Sequence, residues 1–548
     1  MGEIKMRKTL KHLFGTTVVA LLGVSTLSAC SSSKSGAKAP KQELTWMTTS
    51  EIQTMDPSKM VDTTGSEQAS NVFEGLNRLN KAGKVVSGVA TKTNQSKDGL
   101  TWTFTLRKNA KWSNGDPVTA EDFVYSLRRT LDPKTQSQQQ NEWSNVVNAD
   151  DVLAGKKAPS TLGVEAKGKY ELVVHLKHPV PYFKALSVGW NPQNKHVVEK
   201  FGKKYGTASK YMVYNGPFVQ KGWTGSSLNW KLEKNDQYWD KDKVKLQTVN
   251  YSVQKTPSTD YNLYQANKLD GAYLDVQASK RLKGQSGYTV YKLDRTEYLT
   301  FNVSKHPELA NVDFRRAVSM ALNRAQLAKT VGGANTVART FAGPNEYVDG
   351  KNFDQYVESK NPANKYMNYN PAGAKKLYDR ALKELGKNKL AFTLMGDDDD
   401  VSKKVLEFVQ SQLEDTFGKK VDVTVRSMPK TTRVKKMLNG DFEAVFTGLT
   451  SGYLDPNSQL HTMMTGQSYN FGKWSNKDFD KYMNNSDKEL NSTKRLEDLY
   501  NAERVLTDQQ GLTPLFHDGQ AWMVRPSVKN VEFLGGNFSF KDASVSNN

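Results

Sequence analysis

The chain contains a single cysteine, Cys30, among its 548 residues. Disulfides, CxxC motifs and cysteine-based zinc sites all need more than one cysteine, so none of them can form within the chain. A chain of this length exceeds what one hydrophobic core supports, and we expect several domain-sized units. Its 23 Tyr, 22 Phe and 10 Trp are sufficient for large cores or for an aromatic-lined site.

Cys30 ends an N-terminal leader. A basic segment at residues 5–12 precedes a mostly apolar stretch at residues 13–29, which is shorter than the ~20 apolar residues of a membrane-spanning helix. This order predicts a secretory signal peptide over residues 1–29. The leader runs into LSAC, which resembles the lipobox of bacterial lipoproteins, where the cysteine thiol receives a lipid. A chance cysteine beside an ordinary cleavage site is the alternative, and the position of the only cysteine favours lipidation.

The residues after the leader predict where the protein resides. Residues 30–43 are polar and rich in Ser, Lys and Gly, which is typical of a flexible tether. No later stretch approaches the length of a transmembrane helix. We therefore predict a soluble domain held at the extracytoplasmic face of a bacterial membrane by its N-terminal lipid.

The charge balance is strongly basic, with 77 Lys and Arg against 57 Asp and Glu and a formal net charge of +20. Such a charge is compatible with nucleic-acid binding or with an envelope adhesin. The basic residues, however, are spread along the chain and do not gather in one tail or helix. We favour a solvated surface beside an anionic cell envelope, and we predict no nucleic-acid partner.

Hydrophobic periodicity predicts mixed α/β structure. Residues 100–106 alternate large apolar residues with Thr, as a half-buried strand does. Apolar spacing predicts one helix over 314–331 and a second over 371–385, with Asn370 as its N-cap and Gly386 just past its end. Three more elements follow as strand, helix and strand, at 390–395, 401–417 and 421–425. This β-α-β order indicates an α/β lobe with a central sheet.

The sequence offers no positive sign of catalysis. It contains no GxSxG, HExxH, phosphate-loop or GxGxxG motif. Of the seven histidines, His175 and His178 are close together, but strand and turn roles explain them better than a metal site does. We predict no catalytic residue, no metal and no cofactor, and hence no enzyme; an extracellular hydrolase is the alternative.

One segment is specific enough to indicate a family. Residues 98–126 run from a strand ending at Arg107, through an Asn114-Gly115 turn, to a helix capped by Thr119. This segment resembles the signature of the oligopeptide-binding family, the solute-binding proteins of peptide ABC importers. Five further segments resemble the same family in the same order, at 71–76, 214–218, 232–239, 298–302 and 312–322.

The resemblance implies a fold and its division. The fold would be α/β, two-lobed and of the type II periplasmic-binding-protein kind, with an additional subdomain in the first lobe. Lobe I would comprise residues 44–79, 210–300 and 519–548, and residues 80–209 would form the extra subdomain. Lobe II would comprise residues 301–518. The two lobes would close over the ligand.

The resemblance also implies a binding mode and ligand-binding residues. A receptor for many peptides should grip their main chain by strand addition, with roomy, hydrated pockets for the side chains. Two segments match the family's backbone-pairing stretches, and an ordinary turn is the alternative for each. Their residues are Glu74, Gly75 and Leu76 in the first, and Thr447, Gly448, Leu449, Thr450, Ser451, Gly452, Tyr453 and Asp455 in the second.

The second segment departs from the family pattern. Many relatives carry an aspartate at the position of Gly452, where it pairs with the free α-amino group of the ligand, and a tryptophan at the position of Leu449. Without that carboxylate, a buried ammonium would lack a partner. We therefore hypothesise that this chain does not anchor a free N-terminus in the usual manner, and that it takes longer, blocked or specialised signalling peptides.

The implied partners are oligopeptides and the permease subunits of an ABC importer, and the implied state is a monomer. A dipeptide, a metal complex or a sugar is an alternative ligand within the same class. The length of the chain favours oligopeptides.

Overall fold

A computed structural model describes residues 40–60, 62–137, 143–360 and 364–547. The predicted signal peptide, Cys30 and the tether up to residue 39 lie outside these described residues. Residues from Lys41 onward form one compact unit. Within the described part of the chain, no helix is both long enough and apolar enough to cross a bilayer.

A four-stranded sheet gathers distant parts of the sequence. The first strand, Glu43–Thr48, pairs in parallel with Thr248–Val253, and the other two strands add in antiparallel fashion as Asn229–Lys234 and Phe218–Lys221. On this sheet Trp46 is fully buried. Its ring stacks on Trp522 with centroids 5.4 Å apart and meets the edge of Phe540 at 5.3 Å. The N-terminal strand is therefore fixed by the C-terminal end of the chain.

A second four-stranded sheet is wholly antiparallel and lies within residues 90–175. Its strands, in spatial order, are Ala90–Gln95, Thr101–Leu106, Glu171–His175 and Val164–Ala166. Helix Ala120–Leu131 packs on it and starts with a capping box, in which Thr119 N–H donates to Asp122 Oδ2 at 2.7 Å. The predicted strand at 100–106 and the predicted cap at Thr119 are both confirmed.

The third sheet is mixed and is the largest. Its main path joins Gly271–Tyr273, Thr513–Val524, Tyr288–Phe301, Ala444–Thr450, Leu390–Asp397 and Val421–Met428, and the short strand Thr336–Val337 also pairs with Thr513–Val524. The last three strands of the path are mutually parallel, as a β-α-β unit requires. Helix Asp400–Phe417 provides the crossover, so the predicted strand, helix and strand are confirmed.

Two long strands of this sheet connect separate cores. We call Tyr288–Phe301 and Thr513–Val524 the crossing strands. One large core cluster contains residues from 44–282, Ala334 and residues from 521–543, whereas two others contain only residues between 298 and 516. The pairing of the crossing strands is irregular between Lys292 and Thr296. The chain thus passes from one core to the next through an irregular stretch of paired strand.

One predicted helix is wrong in its continuity. The segment expected as a single helix over 314–331 forms two, Val312–Ala321 and Arg324–Val331. Asn323 breaks the run because its side chain accepts a hydrogen bond from Gln326 N–H at 3.0 Å and starts the second helix. The predicted helix Pro371–Leu385 is confirmed, with Asn370 as N-cap and Gly386 in the left-handed region at φ 65°.

The remaining elements cover these sheets or connect them. Further helices are Thr63–Val72, Ala149–Leu153, Phe183–Leu186, Lys195–Phe201, Pro257–Gln265, Val276–Leu282, Phe353–Lys360, Lys430–Asn439, Asn457–Leu460, Lys477–Ser486 and Ser492–Gln509. Two-stranded ribbons pair Asn77–Leu79 with Val85–Ser87, Tyr347–Val348 with Lys351–Asn352, Val528–Lys529 with Ser544–Val545, and Glu532–Leu534 with Asn537–Ser539.

Candidate functional site

The first predicted binding segment, Glu74 to Leu76, is tightly buried. Glu74 is 5% exposed, and its carboxylate accepts hydrogen bonds from Tyr238 Oη at 2.6 Å and from Trp239 Nε1. Burial raises the pKa of Glu74, and these two donors oppose that rise. A Cβ on Gly75 would lie 2.6 Å from the Val188 carbonyl oxygen, so only glycine fits against that loop.

The main chain of this segment is partly used by the protein itself. Gly75 carbonyl oxygen accepts from Val89 N–H at 3.0 Å, and Leu76 carbonyl oxygen accepts from Ala90 N–H at 2.9 Å. Gly75 N–H, in contrast, donates to no acceptor among the described residues. Since Gly75 also lines a cavity, its amide is a candidate donor for a ligand.

The second predicted segment contains a strand with one open side. Strand Ala444–Thr450 pairs along its length with the crossing strand Tyr288–Phe301, but its parallel neighbour Leu390–Asp397 reaches only Ala444 and Val445. Ser451 N–H donates to Asp294 carbonyl oxygen at 2.8 Å, which fixes the alternation of the antiparallel ladder. The main-chain groups of Gly448 and Thr450 therefore point to the open side.

The charged ends of two side chains lie over Gly448. A Cβ at this position would overlap Arg295 Nη2 and both carboxylate oxygens of Glu297. Arg295 Nε lies 2.6 Å from Glu297 Oε1 and 3.2 Å from Asp518 Oδ2. Burial, reinforced by the negative charge of Glu297, raises the pKa of Asp518 to about 7. A compact charged group, which we call the triad (Arg295, Glu297 and Asp518), thus lies directly on the strand.

A cavity of about 470 Å³ opens beside this strand, and we call it the strand cavity. It is lined by Gly448, by Thr447 and by the triad. Arg433 closes one wall: it is 5% exposed, binds Asp397 through Nε–Oδ1 at 2.6 Å and Nη2–Oδ2 at 3.1 Å, and donates to Thr447 Oγ1 at 2.9 Å. The cavity is therefore polar, charged and adjacent to unpaired main-chain groups.

A second cavity, of about 350 Å³, brings the two predicted segments together, and we call it the loop cavity. Glu74 and Gly75 line it from one side, and Ser451, Gly452 and Tyr453 line it from the other. Gly75 and Ser451, which are 376 positions apart in sequence, therefore face one space.

An aromatic contact holds the loop of the second segment against residues of the first large core. Tyr453 stacks on Tyr182 with ring centroids 5.2 Å apart and an interplanar angle of 9°. Arg495 lies over Tyr182 at 5.6 Å and binds Asp455 through Nη2–Oδ1 at 2.7 Å. Burial raises the pKa of the Tyr453 hydroxyl.

Gly452 has free space around it. A Cβ there would meet only Ser458 Oγ, at 3.7 Å, and the residue does not have a positive φ. The absence of a carboxylate at this position is therefore not imposed by packing.

Four of the predicted residues line neither cavity. Leu76 is fully buried and Asp455 is 4% exposed in its ion pair with Arg495. Leu449 packs on the cluster that contains Tyr298, and Thr450 lies at the exposed end of its strand. Their role in ligand binding stays a prediction.

The structure adds residues that sequence reasoning missed. The triad and Arg433 surround Gly448, and two buried acids, Asp294 and Glu346, lie behind Ser451. Alternation along residues 294–298 could have placed Arg295 and Glu297 on one face. Their partner Gly448 lies far along the chain, and no sequence pattern gives that pairing.

The two acids behind Ser451 are incompletely paired. Ser451 Oγ donates to Glu346 Oε1, and Asn345 N–H donates to Asp294 Oδ1 at 2.8 Å. Within the described residues, Glu346 Oε2 and Asp294 Oδ2 have no hydrogen-bond partner. Burial raises the pKa of Asp294 to about 6 and raises that of Glu346 as well.

Nothing in this geometry indicates a metal centre. Within the described ranges, no group of three or more His, Cys, Asp or Glu side chains could hold a metal ion. The donors and acceptors at both cavities suit hydrogen bonding and charge pairing instead.

Comparison with known proteins gives consistent matches over nearly the whole chain. The chain is 35% identical over 542 residues to the dipeptide-binding protein of Lactococcus lactis subsp. cremoris, covering 94% of this chain and 96% of that protein. The structure matches Listeria monocytogenes OppA bound to peptide at 31% identity with a TM-score of 0.71, covering 93% of this chain and all of that chain.

A third match concerns conformation. MppA, a periplasmic murein tripeptide binding protein, matches in its unliganded open form with a TM-score of 0.80 at 27% identity, covering 93% of this chain and 98% of that chain. These matches show that the fold is the type II periplasmic-binding-protein fold with an additional subdomain, as predicted.

Residues 84–471 match the family described as bacterial extracellular solute-binding proteins, family 5 Middle. The members of this family are substrate-binding proteins of peptide ABC importers and not enzymes, so the prediction of a non-enzymatic protein is confirmed. The chain belongs to the bacterial extracellular solute-binding proteins of family 5.

Proposed function

We propose that this protein is a lipid-anchored extracytoplasmic receptor that binds oligopeptides between two lobes and delivers them to the permease of an ABC importer. The observation that carries the proposal is the open side of strand Ala444–Thr450. There the main-chain groups of Gly448 and Thr450 have no strand partner among the described residues, and Gly448 lines the strand cavity. An extended peptide can add to this side as a further strand.

Main-chain pairing explains how such a receptor accepts many sequences. The peptide amides supply the same hydrogen bonds whatever the side chains are, while side chains enter the strand and loop cavities, where water can fill unused space. Gly75 N–H, which is without an acceptor among the described residues, faces the loop cavity from the opposite side. The ligand-binding residues proposed from the sequence keep this role, with Gly75, Gly448 and Gly452 nearest the ligand.

The two crossing strands are the proposed hinge. They pass between separate core clusters and lose regular pairing between Lys292 and Thr296. The higher TM-score against an unliganded open form, 0.80 against 0.71 for a peptide-bound relative, supports an open arrangement of the two lobes. The lobe boundaries proposed from the sequence fit this arrangement, and closing would bring the two cavities onto one ligand.

The experiment is to purify the protein and examine it by native mass spectrometry, then by calorimetry with tri-, tetra- and pentapeptides of diverse sequence. We expect retained or added peptide masses, micromolar or tighter binding, and a smaller radius of gyration by small-angle X-ray scattering when peptide is added. If none of the peptides bound and scattering showed no compaction, the proposal would be wrong.

A second candidate concerns the kind of peptide. The free space at Gly452 and the absence of a carboxylate there favour a receptor for blocked or specialised signalling peptides over one that holds a free α-amino group. Calorimetry with matched free and N-acetylated peptides should then give similar affinities. A large preference for the free amine would contradict this candidate and leave the first one intact.

A further inference from the structure

The charged triad lies on the face of the sheet where the proposed ligand strand would add. Glu297 and Gly448 are directly opposite each other on paired antiparallel strands, so their side chains share one face. Because Gly448 has no side chain, the Glu297 carboxylate and the Arg295 guanidinium occupy the position of its missing Cβ. The charged groups therefore extend across strand Ala444–Thr450 toward its open side.

This position determines which ligand residue meets the charges. A strand added at the open side would lie about 4.8 Å from Gly448, as neighbouring strands do. The ligand residue opposite Gly448 would place its Cβ about 5 Å from the missing Cβ and hence from the triad. The ligand residue opposite Gly448 is thus the one nearest to the triad.

The residues of the triad and of the strand cavity determine which ligand charge is attracted there. In the triad, one guanidinium faces two acids, Glu297 and Asp518. Burial and the charge of Glu297 raise the pKa of Asp518, so a ligand cation would favour loss of its proton and would face two ionised acids. Arg295 is bound by both acids at once, so its charge is already compensated and cannot be offered fully to an anion. The strand cavity as a whole has four acidic lining residues, Glu297, Asp397, Asp399 and Asp518, and three basic ones, Arg295, Lys430 and Arg433. This acidic surplus contrasts with the net charge of +20 on the chain.

We propose that the triad selects peptides with a basic side chain, Lys or Arg, at the ligand position opposite Gly448. This inference rests on the proposed function, because it assigns a specificity to the same strand-addition site. A ligand ammonium or guanidinium there would complete the charge balance of Glu297 and Asp518 and would gain charge-assisted hydrogen bonds. A ligand carboxylate at the same position would be repelled by both acids.

The test is a positional scan with the purified protein. Alanine-based tetra- and pentapeptides carry one Lys, norleucine or Glu at each position in turn, and their affinities are measured by calorimetry. Norleucine matches the apolar stem of Lys, so the ratio of the two affinities isolates the charge. We expect Lys to bind about tenfold more tightly than norleucine at one position only, as one charge-assisted contact allows, and Glu to bind most weakly there.

Two variants connect that preference to the triad. Glu297→Gln and Asp518→Asn keep the shape of each side chain and remove its charge, and either one should reduce the ratio of the Lys to the norleucine affinity severalfold, with the all-alanine peptide measured on each variant as the reference. Asp441→Asn removes an exposed carboxylate that pairs with Lys305 and does not line the strand cavity, so it should preserve the preference. Thermal unfolding of each variant checks that it is folded, and either triad variant alone is sufficient for the test.

The outcomes separate the two proposals. Equal affinities for Lys and norleucine at every position, or a Lys preference that survives both triad variants, would overturn this inference while the all-alanine peptides still bind. If no peptide bound the unmutated protein, the proposed function itself would be wrong, and this inference would be wrong as well.

Discussion

Gly448 and Gly452 belong to one short segment, but the atoms that surround the two glycines differ. A Cβ on Gly448 would overlap the charged ends of Arg295 and Glu297, so a side chain there would have to displace them. Gly452 meets only Ser458 Oγ, at 3.7 Å, and could carry a side chain. At the scale of single residues, Gly448 makes room for the charged ends of Arg295 and Glu297, whereas Gly452 has space for a side chain.

This difference predicts that substitution by alanine has a larger effect at Gly448 than at Gly452. Gly448→Ala should push aside the charged ends of Arg295 and Glu297 and weaken peptide binding, while it lowers the free energy of unfolding by only about 1 kcal/mol because these ends are flexible. Gly452→Ala is the matched control and should change stability by less than about 0.5 kcal/mol. Chemical denaturation and calorimetry measure both; equal effects of the two substitutions would contradict the packing argument.

A carboxylate placed at Gly452 should create a preference that the natural chain lacks. Gly452→Asp should strengthen binding of peptides with a free α-amino group relative to their N-acetylated forms, by about tenfold, because the added charge pairs with the ammonium. Gly452→Asn, which has the same shape without the charge, should give no such preference. Calorimetry with the two peptide forms checks this, and a gain in both variants would argue against a charge effect.

At the scale of secondary structure, local signals and distant pairings differ in how well the sequence predicts them. The cap at Thr119, the helix between Asn370 and Gly386 and the β-α-β unit follow from neighbouring residues, and all are confirmed. The break at Asn323 is also predictable from the sequence, because an Asn followed three residues later by Gln is a common start of a helix. The apolar spacing, however, continues on both sides of Asn323 and indicates a single helix.

The open side of strand Ala444–Thr450 cannot be predicted from neighbouring residues in the same way. Its existence depends on where Leu390–Asp397 stops pairing and on the register with Tyr288–Phe301. Both depend on contacts between residues that are far apart in sequence, which local periodicity does not encode. The resemblance to relatives indicated the segment, but only the structure shows which of its amides are unpaired.

The crossing strand Tyr288–Phe301 carries an acid that should make stability depend on pH. Burial raises the pKa of Asp294 from 3.8 to about 6, so the folded protein holds a proton that the unfolded chain has already released. That contribution to stability is complete below about pH 4 and is lost as the pH rises through about 6, at up to about 1.4 kcal/mol per pH unit for one proton.

Asp294→Asn should therefore flatten the decline in the free energy of unfolding between pH 4 and pH 6. Asparagine retains an oxygen that can accept from Asn345 N–H, the bond that Asp294 Oδ1 accepts at 2.8 Å. Urea denaturation of the natural protein and the variant across this pH range measures the difference. Parallel pH profiles would show that Asp294 does not titrate as a buried acid.

At the scale of the whole molecule, the proposed anchor determines where the receptor works. If Cys30 is lipidated, Cys30→Ser should move the protein from the membrane fraction of cells to the medium or the soluble envelope fraction, because the variant lacks the thiol that receives the lipid. Fractionation with an antibody, together with radiolabelled fatty acid, measures both effects. Peptide affinity should stay unchanged, and an unaltered membrane association would contradict the anchor.

The ring of Trp46 packs between Trp522 and Phe540, and its strand pairs with Thr248–Val253. A growing polypeptide leaves the ribosome from its N-terminus, and domains usually mature in that order. Here the strand partner of Trp46 is made midway through synthesis, but its ring partners Trp522 and Phe540 are among the last residues made. A truncated product would lack the rings that seal this core, so the receptor cannot mature before its synthesis is complete. That delay keeps the chain unfolded for longer, a state that suits a polypeptide destined for export.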